Sequence, residues 1–175
     1  MIKKPLLISI VFALLFTGCA VMQSMIKSTF PYTATLTIPA SSRPGSPHEA
    51  IGTAKSFDQN FTKSGDNGEN VSEVHMVSAK LRSAGLDGFN IGNLVSAKFY
   101  MSKPDGSDEV LVASRTDITQ GVGSSMVLDI DDVKSLDQFV RLPGVRIRMV
   151  YVLRNAIDAD ASLHLVLGLS AQPSN

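Results

Sequence analysis

The residue best suited to chemistry is Cys19, the only cysteine among the 175 residues of the chain. Lysines occupy residues 3–4, residues 6–16 are almost entirely apolar, and a small Thr-Gly pair at residues 17–18 stands directly before the cysteine. A basic start, an apolar stretch and small residues at the cleavage point are the three parts of a secretory signal peptide. The sequence therefore predicts that residues 1–18 form a signal-peptide helix that is removed during export.

The segment around Cys19 also resembles the lipobox of bacterial lipoproteins. Residues 15–19 read Leu-Phe-Thr-Gly-Cys, and Phe16 stands where leucine is commoner in that pattern. The resemblance implies a diacylglyceryl thioether on Cys19, cleavage after Gly18, and attachment to a membrane through the lipid. Two or more acyl chains hold a protein stably, at about 0.8 kcal/mol per buried methylene. Ala20, in place of an aspartate after the cysteine, implies within the same resemblance an outer-membrane location, on the periplasmic or the surface face.

Two other interpretations of the first residues stay open. An uncleaved transmembrane helix needs about 20 apolar residues, and residues 6–16 are too few unless residues 21–26 are added. Gln23 and Ser24 interrupt that extension, and Lys27 follows it. The second alternative is a secreted protein without a lipid, in which Cys19 has no special role.

The rest of the chain divides into a short connection and one domain. Residues 19–32 are predicted to be the lipidated cysteine and its tether, because Pro31 discourages helix there. Residues 33–175 are predicted to form a single β-domain, and 157 residues from Cys19 onward are enough for a sizeable core. If Cys19 carries lipid, the domain has neither a disulfide nor a cysteine-based zinc site.

Charge and composition exclude some partners. Without residues 1–18 the chain has 14 basic and 16 acidic residues, a net formal charge of −2. Nucleic-acid binding needs a basic excess, so no nucleic-acid partner is expected. The absence of tryptophan and the scarcity of aromatic residues argue against a flat aromatic platform for carbohydrate or for stacked bases.

Alternation of apolar and polar residues is the main structural signal, and this period of two is typical of half-buried strands. Strands are predicted at residues 33–38, 74–82, 95–102, 109–114, 125–131, 145–154 and 161–171, and residues 54–62 are either a further strand or a loop. Residues 39–47 and 63–70 are predicted loops, and the Pro-Asp-Gly-Ser sequence at 104–107 is a predicted hairpin turn. The expected fold is all-β: an antiparallel, immunoglobulin-like two-sheet sandwich of seven to eight strands.

Two details of this prediction concern which residues face inward and where short helical turns begin. Val77, Ala79 and Leu81 are predicted to share one face, and so are Met126, Leu128 and Ile130. Asn70 is predicted to cap a helical turn over residues 71–74. Asp131 or Asp132 is predicted to cap another over residues 133–139.

The order of these segments resembles a group of lipoproteins common in Bacteroidota that have no agreed biochemical activity. The resemblance lies in the pattern of residues 74–84, 89–101, 109–114, 125–133 and the final strand pair. It implies a lipobox followed by one sandwich domain of immunoglobulin-like or LEA14-like shape. It implies no catalytic or binding residues.

The chain has three histidines and one glycine-rich run that deserve a chemical interpretation. His48, His75 and His164 show no metal-ligand spacing, and we expect them to be unrelated surface residues. Residues 121–125 read Gly-Val-Gly-Ser-Ser, but they precede a strand, so a loop is predicted and not a phosphate site at a helix start. No Gly-x-Ser-x-Gly nucleophile motif occurs.

Charged residues form two acidic groups and one possible basic face. Calcium binding is an alternative for the acidic groups, although helix capping and turn preference explain several of their members. The acidic groups are Asp129, Asp131, Asp132 and Asp137, and Asp105, Asp108 and Glu109. A basic face for an acidic partner would contain Lys80, Arg82, Lys98, Arg146, Arg148 and Arg154.

These observations predict a lipid-anchored cell-envelope protein without enzymatic activity, cofactor or metal, acting as an interaction or structural module. One alternative is an accessory subunit of an envelope secretion or transport assembly, bound to a protein partner through an exposed strand edge. Another is a domain that binds a small ligand or calcium.

Overall fold

A computed structural model describes residues 28–55, 71–84, 89–131 and 135–173. The predicted signal peptide, Cys19 and residues 56–62 of the segment predicted as a strand or a loop lie outside these ranges. Within them the chain forms nine strands and one short helix, α1 (Asp137–Val140). The strands are β1 (Ser28–Ile38), β2 (Pro47–Lys55), β3 (Val71–Ser83), β4 (Leu94–Ser102), β5 (Val110–Arg115), β6 (Ser125–Val127), β7 (Asp129–Ile130), β8 (Gly144–Leu153) and β9 (Ala161–Pro173).

The nine strands form one antiparallel sheet in the order β6-β3-β9-β1-β2-β8-β4-β5-β7. Strands β6 and β7 stand at opposite ends of this order, yet only Leu128 separates them in the chain. The Leu128 backbone N–H donates to the Ala79 carbonyl of β3 at 2.9 Å, while β7 pairs with β5. The sheet therefore curves round until its two ends nearly meet, which gives it an almost barrel-like shape.

The all-β, antiparallel class agrees with the prediction, whereas the strand arrangement differs. The sequence predicts seven or eight strands in two sheets, and the structure has nine described strands in one continuous sheet. Part of the difference arises at residues 125–131, predicted as a single strand. Here the chain leaves the β3 end of the sheet and joins the β5 end, so the strand divides at Leu128. Ile130, predicted to face inward with Met126, is 42% exposed as a result.

Alternate residues of the two last strands fill the interior. On β8 the inward residues are at most 1% exposed, and on β9 the four inward leucines are fully buried. This confirms the period-two prediction for both strands. The inward residues are Val145, Ile147, Met149, Tyr151 and Leu153 on β8, and Leu163, Leu165, Leu167 and Leu169 on β9.

Strand β2 lies earlier in the chain than predicted. It begins at Pro47, the last residue of the predicted loop, and runs along β8 from Pro47↔Val152 to Lys55↔Gly144. Its inward residues are small: Ala50 and Ala54 are buried. Gly52 lies between them, where an added Cβ would be 2.5 Å from the Thr35 carbonyl oxygen of β1. Small inward residues give no strong apolar alternation, and for this reason the sequence pattern missed the strand.

Strand β3 is irregular in a way that the sequence pattern does not indicate. Its register against β9 shifts between Ser72 and His75 and again between Met76 and Ser78. Glu73 has a positive φ of 51° at the first irregularity. Such a bulge adds a residue to one strand and moves the following side chains to the other face. Val77 is consequently 46% exposed, and Val71 begins a strand where a helical turn is predicted.

The start of the domain and the helix also differ from the prediction. Strand β1 begins at Ser28, five residues before the predicted domain start at residue 33, and pairs with β9 along its whole length. The predicted tether, residues 19–32, is therefore strand from Ser28 onward.

Helix α1 begins at Asp137, and the Asp131 N–H donates to the Val112 carbonyl at 3.0 Å. Asp131 thus extends the sheet instead of capping a helix, and Asp132 lies outside the described residues.

Candidate functional site

The sequence-predicted site, Cys19, precedes the described residues, so its geometry is not part of the structure. Among the parts of the chain that are described, no helix is long and apolar enough to cross a membrane. The described domain does contain a concave site that the sequence analysis did not identify. It lies at the end of the sheet where β4 starts and β8 stops.

This site, here named the amide cleft, has a volume of about 410 Å³. Three connections meet there: the one that leads into β4, the one after β5 and the one between β8 and β9. Its lining side chains are all uncharged, and four of them are primary amides. The lining residues are Phe89, Asn90, Gly92, Asn93, Gln120 and Asn155.

Two of the amides hold the connections together. Asn90 Oδ1 accepts the Gly92 N–H at 2.8 Å, and Asn90 Nδ2 donates to the Gln120 carbonyl at 3.2 Å. Asn93 Oδ1 accepts both the backbone N–H and the side-chain Nδ2 of Asn155, each at 3.0 Å. Asn93 Nδ2 donates a hydrogen bond to the Asn155 backbone carbonyl at 3.2 Å. The walls of the cleft are therefore fixed by side-chain bonds across distant parts of the sequence.

Gly92 allows the closest approach in the cleft. A Cβ at this position would lie 2.2 Å from the Gln120 carbonyl oxygen and 2.7 Å from the Gln120 Cα. Real atoms do not approach so closely, so only glycine lets the connection after β5 pack against the one before β4. The 3₁₀ turns Ile91–Asn93 and Gln120–Val122 meet at this point.

Arg154 joins two of the connections that form the cleft. Its Nη2 donates to the Ile118 carbonyl at 2.6 Å and its Nε to the Gly92 carbonyl at 3.3 Å. A guanidinium bonded to carbonyls in two connections limits their relative movement. Arg154 is therefore half-buried and engaged with these two connections, and it does not join the other basic residues in an outward face.

The other basic residues do not form one face either. Lys98, Arg146 and Arg148 lie on the neighbouring strands β4 and β8, whereas Lys80 and Arg82 lie on β3. Strands β9, β1 and β2 separate β3 from β8 in the sheet. The predicted basic face is thus divided between two regions of the sheet.

Arg148 is the centre of a charged cluster on the outer side of the sheet. It donates from Nε to Glu109 Oε1 at 2.8 Å and from Nη2 to Glu109 Oε2, and it donates from Nη1 to Glu49 Oε1 at 2.6 Å. Its guanidinium carbon lies 4.5 Å from the centre of the Tyr100 ring. The bonds to Arg148 hold the pKa of Glu109 below its usual range, and those from Glu109 and Glu49 raise the pKa of Arg148. The guanidinium is bonded to carboxylates from two other parts of the sheet, so we interpret the cluster as a link between strands.

Several residues of the two acidic groups, for which calcium binding is an alternative, bond to other side chains of the protein. Asp105 accepts bonds from Ser107, which lower its pKa, and Asp108 pairs with Lys103 at 2.6 Å. Asp129 pairs with Arg115 at 3.1 Å. Where the chain is described, no group of three or more His, Cys, Asp or Glu side chains could hold a metal ion.

Asp137 connects helix α1 to the bulge in β3. Its Oδ1 accepts the Val74 N–H at 2.8 Å and the Ser135 hydroxyl. Burial alone would raise the pKa of Asp137, but the bonds from Ser135 and from the Val74 and Glu73 backbone outweigh burial and lower it. This carboxylate therefore has a structural role at the irregular part of β3.

The three histidines lie on three different strands. His48 on β2 bonds through Nε2 to the Arg43 carbonyl at 2.8 Å and lies 5.7 Å from the Tyr151 ring. His75 is on β3 opposite Ser170, and His164 is on β9 opposite Arg82.

The glycine-rich residues 121–125 end a 3₁₀ turn and enter β6, and the Gly123 carbonyl accepts the Ile91 N–H at 2.7 Å. This run thus helps to build the amide cleft.

Comparisons with known proteins do not assign the chain to a family. No protein-family model matches the chain, and no curated protein matches it either. One similar solved structure is that of arabinose-bound MgGH51 α-L-arabinofuranosidase, with a TM-score of 0.36 and 11% identity. The match covers 78% of this chain but 19% of that one. A second is that of the infectious bursal disease virus Gt strain, with a TM-score of 0.35, 13% identity and coverage of 87% and 39%. Likeness at this level does not indicate a shared activity.

Proposed function

We propose that this protein is a lipid-anchored protein of the cell envelope whose β-domain is a non-enzymatic interaction or structural module. The observation that carries the proposal is the sequence of residues 1–19, in which a signal-peptide layout ends at the single cysteine. Lipid on Cys19 would place the domain at a membrane, and Ala20 favours the outer membrane.

The early start of β1 brings the domain close to this anchor. Nine backbone steps separate Cys19 from Ser28, the first residue of β1. At about 3.6 Å for each fully extended residue, they span no more than about 32 Å. A domain held so near the lipid would act at the membrane surface, on molecules that reach it there.

We further propose that the curved sheet works as the two layers of an immunoglobulin-like sandwich. Strands β6-β3-β9-β1 would be one layer and β2-β8-β4-β5-β7 the other. The support for this division is that β1 and β2 share one registered pair, Thr33↔Lys55, whereas β1 pairs with β9 along eleven residues. On the opposite side, the chain crosses between the layers at Leu128.

The alternative of an accessory subunit that binds through a strand edge has less support in the geometry. At the β3 edge, β6 pairs with residues 80–82, and the Leu128 and Leu136 N–H groups donate to the Ala79 and Val74 carbonyls. At the β5 edge, β7 pairs with Ala113 and Ser114. These contacts occupy parts of the β3 and β5 edges with which a partner strand would otherwise pair.

Metabolic labelling with a fatty acid tests the anchor. The full chain expressed in a diderm bacterium is expected to incorporate labelled palmitate and to partition into the membrane fraction. Cys19→Ala removes the acceptor sulfur and is expected to abolish both. Phe16→Leu restores the commoner lipobox residue and serves as the matched control, with labelling at least equal to that of the natural sequence. Label on the Cys19→Ala protein, or none on the natural one, would contradict the proposal.

A further inference from the structure

We infer that the amide cleft is a binding site for a neutral saccharide. This goes beyond the anchoring role proposed above and does not depend on it, because the cleft is a property of the folded domain alone. The inference rests on three features of the cleft: its remaining hydrogen-bonding capacity, its lack of charge and its rigidity.

The first feature is the number of hydrogen-bond donors and acceptors that the lining amides keep after their hydrogen bonds within the protein are counted. A primary amide offers two N–H donors and an oxygen with two lone pairs. Gln120 is exposed, and its backbone carbonyl, not its side chain, accepts the bond from Asn90. Asn155 uses one side-chain N–H on Asn93, which leaves its Oδ1 and a second N–H. Free donors and free acceptors are therefore both present among the residues that line the cleft.

Such mixed capacity suits hydroxyl groups, since each hydroxyl both donates and accepts. Neighbouring hydroxyls on a sugar ring present this pairing repeatedly, and an amide can bond two of them at once. A phosphate or carboxylate forms its strongest hydrogen bonds with charged donors, and the five side chains among the six lining residues are all uncharged. Arg154 is not among the lining residues, and two of its five N–H groups donate to backbone carbonyls. A neutral ligand thus matches the cleft better than an anion.

A saccharide also presents an apolar ring face, which needs an apolar surface in the site. Phe89 lines the cleft and is partly buried against the core. Small-molecule sites are usually more apolar than this cleft, so the Phe89 ring is the one apolar surface that its lining residues offer a ligand. The sequence argues only against a flat aromatic platform, and this cleft uses amides with a single ring instead.

Rigidity is the third feature. Gly92 lets the connections pack in contact, and Asn90, Asn93 and Arg154 bond them to one another. A site that is ordered before the ligand arrives loses less conformational entropy on binding. The cleft therefore has the preorganisation that weak, hydroxyl-based recognition needs.

Isothermal titration of the full chain in detergent micelles tests the inference. The probes are maltotriose, cellotriose and the trimer of N-acetylglucosamine, with trigalacturonate as the charged comparison and triglycine as the peptide comparison. At least one neutral trisaccharide is expected to bind with a Kd of about 1 mM or tighter, equivalent to about −4 kcal/mol. Gln120→Ala is expected to weaken that binding at least tenfold, because it removes free amide groups without touching the internal bonds. Phe89→Ala is expected to weaken it similarly.

Gln138→Ala is the matched control, since Gln138 is an exposed amide on α1 and does not line the cleft. It is expected to leave the Kd unchanged, and circular dichroism checks that each variant keeps its β-structure. The inference is overturned if no neutral trisaccharide binds at about 10 mM, tenfold above the expected Kd. It is also overturned if trigalacturonate or triglycine binds more tightly, or if Gln120→Ala leaves the Kd unchanged. None of these results bears on fatty-acid labelling at Cys19, so the two proposals fail separately.

Discussion

At the scale of single residues, Gly92 and the amides around it determine whether the cleft exists. Asn90 and Asn93 are used for structure, whereas Gln120 and Asn155 retain free hydrogen-bonding groups. The sequence contained one usable signal for this site, namely asparagine or glutamine beside glycine in two connections, at residues 90–93 and 120–123. That signal is also typical of ordinary turns, so it does not identify a site without the contacts between the turns.

Gly92→Ala is expected to destabilise the protein by about 3 kcal/mol. The new methyl group would overlap the Gln120 backbone, which has to move, and overpacking of this kind typically costs 1–3 kcal/mol. Gly121→Ala is the matched control in the same region, because its Cβ would meet no atom within 4 Å. Urea unfolding followed by circular dichroism measures both, and the control is expected to change the free energy of unfolding by less than about 1 kcal/mol. Equal effects of the two substitutions would refute the packing argument.

At the scale of elements, side chains join strands that are distant in sequence. Arg148 on β8 bonds Glu49 on β2 and Glu109 just before β5, and it stacks on Tyr100 of β4. Asp137 fixes helix α1 to the bulge in β3. The charged residues in these contacts are visible in the sequence, but their partners are not. Register and bulges decide which residues become neighbours.

The Arg148 cluster should make stability depend on pH in the acid range. The pKa of Glu109 is lower in the folded chain than its ordinary value of 4.5, so this carboxylate favours the folded state above about pH 4.5. That contribution is lost as the pH falls through 4.5 and then through the lower folded-state pKa. Glu109→Gln is therefore expected to lower the free energy of unfolding at pH 7 and to flatten its decline below pH 4.5.

Urea unfolding between pH 7 and pH 3 measures this effect. Asp108→Asn is the matched control, since Asp108 is the adjacent acidic residue and its partner is Lys103. Asparagine tolerates the positive φ of 55° at this position. The control is expected to keep the acid dependence of the natural chain. If the free energy of unfolding of Glu109→Gln declines below pH 4.5 as steeply as that of the natural chain, the link to Arg148 does not contribute to stability.

At the scale of the whole molecule, the curved sheet is closed where the chain crosses at Leu128. This side chain is 3% exposed, while its neighbour Val127 is 69% exposed. The Leu128 backbone also bonds to Ala79 of β3. Closure of the sheet therefore combines one buried side chain with one backbone bond at the point where its two ends meet.

Leu128→Ala is expected to reduce the free energy of unfolding by about 2–4 kcal/mol, through lost burial and the cavity left behind. Val127→Ala changes the adjacent exposed residue and is expected to alter it by less than about 0.5 kcal/mol. Thermal and urea unfolding of the two variants provide the measurement. Similar stabilities for both would mean that the core does not depend on this crossing.

The sequence alone determined the all-β class and the inward faces of β8 and β9, because period-two alternation is a local property of an extended chain. It also supplies the signal-peptide layout that ends at Cys19, and the role of that residue stays a prediction. The tertiary structure decided the exposure of Val77, the early start of β1, the position of β2 and the assembly of the amide cleft. These features depend on bulges, small inward residues and contacts between separate connections. Such contacts form only when the sheet curves back on itself, and no local pattern records them.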